Sequence, residues 1–194
     1  GRAPLGASTP YGYHDALTRY NFNDDHGPGG ADHSDAEIAR HVEGQVRWRE
    51  DIPSHMVFDQ GDDLLYVADT GNNRIAVHDV NSGARGSNLT PNYDVTPDMQ
   101  YEVTGGDCWT LIDGEAVDGM GRPSGLAIHD GTIYVTDNRT ATIFAFTKEG
   151  VLVDWLDTGL DDGSLMGIEF DDDGNLFLVD AENDEVLRIS PLAE

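Results

Sequence analysis

From residue 51 onward, short runs of β-branched and aromatic residues recur three times in the same order. The first set reads Pro53-Ser-His-Met-Val-Phe-Asp, then Leu64-Leu-Tyr-Val-Ala-Asp69, then Arg74-Ile-Ala-Val-His-Asp79. The second reads Pro123-Ser-Gly-Leu-Ala-Ile-His, then Thr132-Ile-Tyr-Val-Thr-Asp137, then Thr142-Ile-Phe-Ala-Phe. The third reads Leu165-Met-Gly-Ile-Glu-Phe-Asp, then Asn175-Leu-Phe-Leu-Val-Asp180, then Glu185-Val-Leu-Arg-Ile. Gly, Asn and Asp bound each run, and apolar residues do not return at every third or fourth place, so the runs are strands and not helices. Strands are predicted near 55–59, 64–69, 74–80, 107–113, 124–129, 132–137, 142–147, 151–156, 166–170, 175–180 and 185–190.

The Asp that closes each middle run sets the period. Asp137 to Asp180 spans 43 residues, whereas Asp69 to Asp137 spans 68, an excess of 25. The excess matches the stretch from about Ser82 to Gly106, rich in Gly, Asn, Pro and Asp and without apolar period. A repeat of about 40–50 residues built only from short strands suits the blade of a β-propeller. Val151-Leu-Val-Asp-Trp-Leu156 and Asp107-Cys-Trp-Thr-Leu-Ile112 supply fourth strands for two units, and the last unit has none of its own. The units are predicted at about 51–113, 120–156 and 164–194.

Residues 1–50 differ in kind. Residues 1–33 carry Gly, Pro, Asp, Tyr and three histidines with no period, which predicts an irregular loop segment across one propeller face. Ser34-Asp-Ala-Glu37 has capping-box spacing. With Ile38 and Val42 on one face and Gly44 as a stop, a short helix is predicted over about 35–43. Gln45-Val-Arg-Trp-Arg49 reads as the last strand of a preceding blade.

These motifs resemble the NHL-repeat β-propellers over about residues 51–194. The likeness lies in Pro-x-Gly-apolar before a first strand, then Tyr-Val-x-Asp, a polar turn, and Arg-Ile. Asp69-Thr-Gly-Asn-Asn-Arg-Ile75 matches most closely, while Asn138-Arg-Thr-Ala-Thr and Ala181-Glu-Asn-Asp-Glu depart from the pattern. The resemblance implies an all-β fold of four-stranded blades. With about six blades usual, three units make about half a ring, and further N-terminal blades of the same chain are its expected partners. An open arc of blades is expected to aggregate, dimerise or be only marginally stable.

Charge narrows the partners. The chain carries 37 Asp and Glu against 11 Lys and Arg, a formal net charge of -26, and Lys148 is its sole lysine. Such a field repels nucleic-acid phosphates and anionic headgroups, so neither is an expected partner. No run approaches the ~18–20 apolar residues of a membrane span. Cys108 is the single cysteine and reads as a small core residue, with no intrachain disulfide open to it. An acidic, lysine-poor propeller points to a periplasmic or extracellular location.

His55 is the candidate that the repeat itself picks out, because it stands where the sister units have Gly125 and Gly167. That place begins a first strand, at the mouth of a propeller channel. An imidazole there either ligates a metal such as zinc or bonds a neighbouring loop. His26 and His33 complete a metal site only if the N-terminal loop folds over that face. Ser124 and Met166 stand at or beside the equivalent unit starts, with Arg122 and Arg139 as further members of a ligand-binding face. His129 ends a first strand where His55 begins one, which sets the two at opposite ends of the channel. Asp171-Asp-Asp-Gly-Asn175 resembles the opening of a calcium loop but lacks its twelfth-position Glu, so calcium is the weaker expectation. Asp69, Asp137 and Asp180 are expected to accept N–H groups from the turns that follow them.

No Gly-x-Ser-x-Gly elbow, phosphate loop or His-Glu-x-x-His helix is present. Six-bladed propellers similar to NHL repeats include peptidyl-hydroxyglycine amidating lyases, in which blade-start histidines hold zinc beside a tyrosine and an arginine. His55 matches one such histidine, Gly125 and Gly167 do not supply the others, and Tyr11 and Tyr13 are nominated only by type. Two readings follow. One is a non-catalytic binding module for a protein, peptide or glycan. The other is a metal-dependent lyase or hydrolase with His55 as a ligand. The first is preferred, because no complete catalytic set can be assembled from the sequence.

Overall fold

The computed structural model describes residues 17–21, 37–41, 49–88 and 100–190. Its strands are β1 (Leu17–Asn21), β2 (Glu37–His41), β3 (Met56–Asp59), β4 (Leu64–Asp69), β5 (Arg74–Asp79), β6 (Ala84–Asn88), β7 (Gln100–Thr104) and β8 (Cys108–Asp113). They continue with β9 (Pro123–His129), β10 (Thr132–Asp137), β11 (Thr142–Thr147), β12 (Leu152–Asp157), β13 (Leu165–Phe170), β14 (Leu176–Asp180) and β15 (Glu185–Ile189). The fold is all-β. The eleven strands read from the sequence are present within a residue or two of their predicted bounds.

The chain divides into two compact units, Gly1–Val46 with Asp79–Cys108, and Arg47–His78 with Trp109–Glu194. The second unit holds three sheets in chain order. The first is β3-β4-β5-β8, the second β9-β10-β11-β12, and the third β13-β14-β15, which has three strands. In the other unit the sheet runs β2-β1-β7-β6.

Three sequence expectations are corrected here. Within residues 1–33, read as an irregular loop, Leu17–Asn21 form β1, antiparallel to both β2 and β7. The helix predicted over about 35–43 is the strand β2, antiparallel to β1 with Leu17 opposite His41 and Tyr20 opposite Ile38. A helix this short pays the full nucleation cost for few bonds, and a partner strand satisfies the same backbone groups without it. Glu37 and His41, neighbours on a helix, are about 13 Å apart along a strand. The stretch from about Ser82 to Gly106, read as irregular, contains β6 and β7, and β7 pairs with β1. That pairing is long-range and leaves no local period to read. Of Gln45–Arg49, only Arg49 is described; it forms an isolated bridge to Ile52.

Each of the three successive sheets has two faces, because side chains alternate along a strand. In the first sheet, Tyr66, Ala68, Ile75 and Val77 share a leading face. They pack against Leu126, Ile133, Val135, Phe144 and Phe146 on the trailing face of the second. The leading face of the second sheet bears Ala127, Tyr134 and Ile143, which pack against Leu165, Ile168, Leu176 and Leu178 of the third. Each fully buried aliphatic or phenyl group contributes about 1.5–3 kcal/mol, so these two interfaces hold the unit together. The leading face of the third sheet bears Phe177, Val179 and Val186 and is open, with Val186 68% exposed.

Candidate functional site

The site is built on β3, β9 and β13, the first strands of the three sheets. His55 directly precedes β3. Its carbonyl accepts the Ala68 N–H (2.9 Å), which sets the backbone, and its Nδ1 accepts the Leu126 N–H of β9 (2.9 Å). The ring therefore fastens the first sheet to the second. With Nδ1 accepting, the neutral ring carries its proton on Nε2, and its remaining polar atom is a donor. A metal ligand needs a lone pair, which here is engaged at Nδ1.

The half-buried His55 ring lines a cavity of about 230 Å³ together with Gly167 and Glu169 of β13 and Phe177, Val179 and Val186 of the open leading face. One imidazole, one carboxylate and an apolar wall make a surface that orients a ligand by hydrogen bonds and buries its apolar part.

Hydroxyl and amide side chains knit the remaining first-strand ends together. Thr70, one residue past Asp69, donates to the Pro123 carbonyl (2.6 Å). Asn138, one residue past Asp137, donates to the carbonyls of Gly163 (2.6 Å) and Leu165 (3.1 Å). Ser124 is fully buried and donates to the Leu165 carbonyl (2.9 Å), while the Thr136 hydroxyl accepts from the Gly125 N–H (2.7 Å) and donates to Met166 O (2.7 Å). Gly125 is required at this crowded point, since a Cβ would collide with the Met166 carbonyl and the Thr136 hydroxyl. Buried polar groups of this kind are costly unless paired; the Gly125–Thr136 bond pairs them within the second sheet, and the Thr70, Ser124, Thr136 and Asn138 donors reach beyond their own sheet. Sequence reading missed Thr70, Thr136 and Asn138 as ties. For Thr70 and Asn138 the signal was a hydrogen-bonding residue directly after the closing Asp in two of the three repeats; Thr136 directly precedes its Asp and stands where the first and third repeats have Ala68 and Val179.

The closing aspartates do what the sequence predicted in two sheets. Asp137 accepts the N–H groups of Arg139 (3.0 Å) and Thr140 (3.1 Å), and its other oxygen takes those of Gly121 and Arg122. Asp180 accepts from Glu182 and Asn183, both at 3.2 Å. Asp69 takes the Asn72 amide (2.8 Å) and the Arg74 guanidinium (2.7 Å).

The nominated site residues thus separate. His55 lines the cavity, half-buried Met166 sits at the start of the β13 side, and Ser124 is locked between sheets. Arg122 accepts the Asn138 N–H at its carbonyl (2.8 Å), and the exposed Arg139 reaches the carbonyls of Gly119 and Met120, so both belong to the turn around Asp137. His26 and His33 lie outside the described residues. In the Asp171 turn, the carboxylate accepts from the Asn175 amide, the Asn175 N–H and the Asp173 N–H, which in that order hold it below the usual carboxylate range. Its oxygens close the turn. Among the described residues no three His, Cys, Asp or Glu side chains gather as a metal site, and no helix is long and apolar enough to cross a membrane. No family model matches this sequence, and no curated protein is similar to it.

Proposed function

We propose that this chain forms blades of an NHL-type β-propeller, a non-catalytic module that engages a protein, peptide or glycan on the face where its first strands begin. The observation that carries the reading is the stacking order. Leading face meets trailing face twice in succession, and the third leading face repeats the apolar positions with Val179 and Val186 exposed. Ile143 is 4% exposed, and its counterpart Val186 is 68% exposed. A repeat that buries each face only against a neighbour calls for a further sheet there, supplied by more blades of the same kind.

Binding is preferred to catalysis because the polar groups at the first-strand ends are spent on ties between sheets. Ser124, Thr136 and Asn138 bond the next sheet, and the His55 Nδ1 bonds Leu126. The acidic surface turns nucleic acid away and suits a cationic or neutral partner. A periplasmic or extracellular location fits the same composition.

Peptide and glycan arrays probed with the labelled chain test this reading. Hits that weaken on Glu169→Arg and on His55→Gln, with the far-UV spectrum unchanged, are the expected result. Hits indifferent to both substitutions overturn the choice of face. Elemental analysis provides the opposing outcome: stoichiometric zinc that disappears in His55→Ala would replace the binding module with a metal-dependent lyase or hydrolase.

A further inference from the structure

A second cavity, of about 610 Å³, opens at the other end of the second and third sheets, where β9 turns into β10 and β13 into β14. Its floor is apolar and aromatic. The His129 ring lies flat on Phe170, with centroids 4.4 Å apart and planes 10° from parallel, and Tyr134 leans on the same phenyl at 4.8 Å. The buried Leu176 closes the bottom. The geometry starts in the sequence. Asp130 and Gly131 both take positive φ (47° and 74°), as a two-residue type I′ hairpin requires, and this tight turn presents His129 at the strand end.

The rim is acidic: Asp130, Asp172 and Asp173 surround the opening, all exposed. The nearby basic groups are already engaged. Arg188 donates to Asn175 Oδ1 (2.8 Å), and Lys148 is held by Asp59 (2.5 Å) and Asp62 (2.6 Å). Among the described residues no Lys or Arg ion pair neutralises the three rim carboxylates; Asp130 lies 3.5 Å from His129 Nε2.

We propose that this cavity binds a guanidinium group, presented by an arginine side chain or by a free small molecule. A guanidinium is flat and weakly hydrated, so it stacks on aromatic faces while its edge N–H groups bond carboxylates. The aromatic floor and the acidic rim ask for those two properties together. An aliphatic ammonium meets only the second, and a neutral planar group only the first. The site is distinct from the His55 face, and the proposal does not rest on the propeller reading.

Titration of the full chain with butylguanidinium, butylammonium and the neutral isostere butylurea, followed by calorimetry and the His129 ring resonances at 0.15 M salt, tests it. Butylguanidinium is expected to bind tightest, with shifts at His129. Phe170→Leu, which keeps the apolar packing and removes the ring, should weaken it about three- to tenfold. The paired change Asp172→Asn and Asp173→Asn, at exposed positions that leave the fold alone, should weaken it about tenfold. Asp161→Asn with Asp162→Asn, exposed and outside the cavity, should change nothing. Acetyl-Gly-Arg-Gly-amide distinguishes the sources. Tighter binding than butylguanidinium assigns the site to peptide arginine, and equal binding assigns it to the free group. Equal affinity for butylurea would overturn the proposal. Equal losses from the Asp161/Asp162 and Asp172/Asp173 changes would also overturn it, because they would signal a diffuse acidic field.

Discussion

The second and third sheets share one strand pattern and have opposite fates. Thr132-Ile-Tyr-Val-Thr-Asp137 and Leu176-Phe-Leu-Val-Asp180 sit in the same place in their sheets, as do Ile143 and Val186. The second sheet is covered on both faces by its neighbours, while the third is covered on one. Even polarity runs against exposure: Thr136 is fully buried and its counterpart Val179 is 40% exposed. The buried threonine is tolerated because its hydroxyl ties into the third sheet, whereas the valine stands on the exposed face of that sheet. Burial in this architecture belongs to the neighbour and not to the residue.

Equivalent truncations test that statement most severely. Ile143→Ala should cost about 3.5 kcal/mol, since it empties a packed interface. Val186→Ala should stay within about 0.5 kcal/mol, the range of surface changes. Urea unfolding of both variants decides the matter, and equal losses would mean that the leading face of the third sheet is covered in solution.

Acid should discriminate between the first sheet and the second. His78 occupies the repeat position of Phe146, is buried on β5, and is pushed down to about 4 by desolvation, with the Arg74 charge adding to the shift. The folded form therefore binds fewer protons than the unfolded one between pH 6.5 and 4. Its stabilising contribution is complete above pH 6.5 and declines as the pH falls toward 4, by about 3 kcal/mol. His78→Phe, copying the second sheet, should flatten that part of the stability–pH curve. An unchanged slope would locate the acid sensitivity in the carboxylates.

Glycine provides a gentler version of the same contrast. Gly125→Ala drives a methyl into the Met166 carbonyl and should destabilise by about 2 kcal/mol. Gly167→Ala, the same repeat position one sheet later, meets nothing within 4 Å and should be neutral within about 0.5 kcal/mol. Thermal melts of the pair are sufficient to check it.

The smallest effect belongs to the sole lysine. Lys148, in the β11–β12 turn, reaches Asp59 and Asp62 in the β3–β4 turn. These hydrogen bonds raise the ammonium above its ordinary value and hold the Asp59 carboxyl below its own. Lys148→Gln should cost under about 1 kcal/mol at low salt and less at high salt, as for a half-exposed pair. A loss independent of salt would point to packing of the lysine stem.

Much of the second unit was legible in the chain, because a period of two residues within a strand and a repeat of tens of residues are both local patterns. The closing Asp residues and their turns were legible for the same reason. The strand β2 was not: its capping-box spacing is a true local preference, and pairing with β1 overrode it. Nor were β6 and β7, because β7 pairs with β1, far along the chain. For the candidate site, His55 stood out as the exception to the glycines, Gly125 and Gly167, at the same place in the repeat. Its role as a strap from the first sheet to the Leu126 N–H depends on where β9 comes to rest.

The sequence by itself determined the all-β class, the order and bounds of eleven strands, the three-strand third sheet and the acidic surface. Those follow from side-chain alternation, turn chemistry and charge, each of which acts over a few residues. Only the tertiary structure decided which apolar faces are covered, which polar groups tie sheet to sheet, and that His129, Tyr134 and Phe170 meet under three carboxylates. Those depend on residues tens of positions apart arriving at one place, and packing alone selects which of them meet.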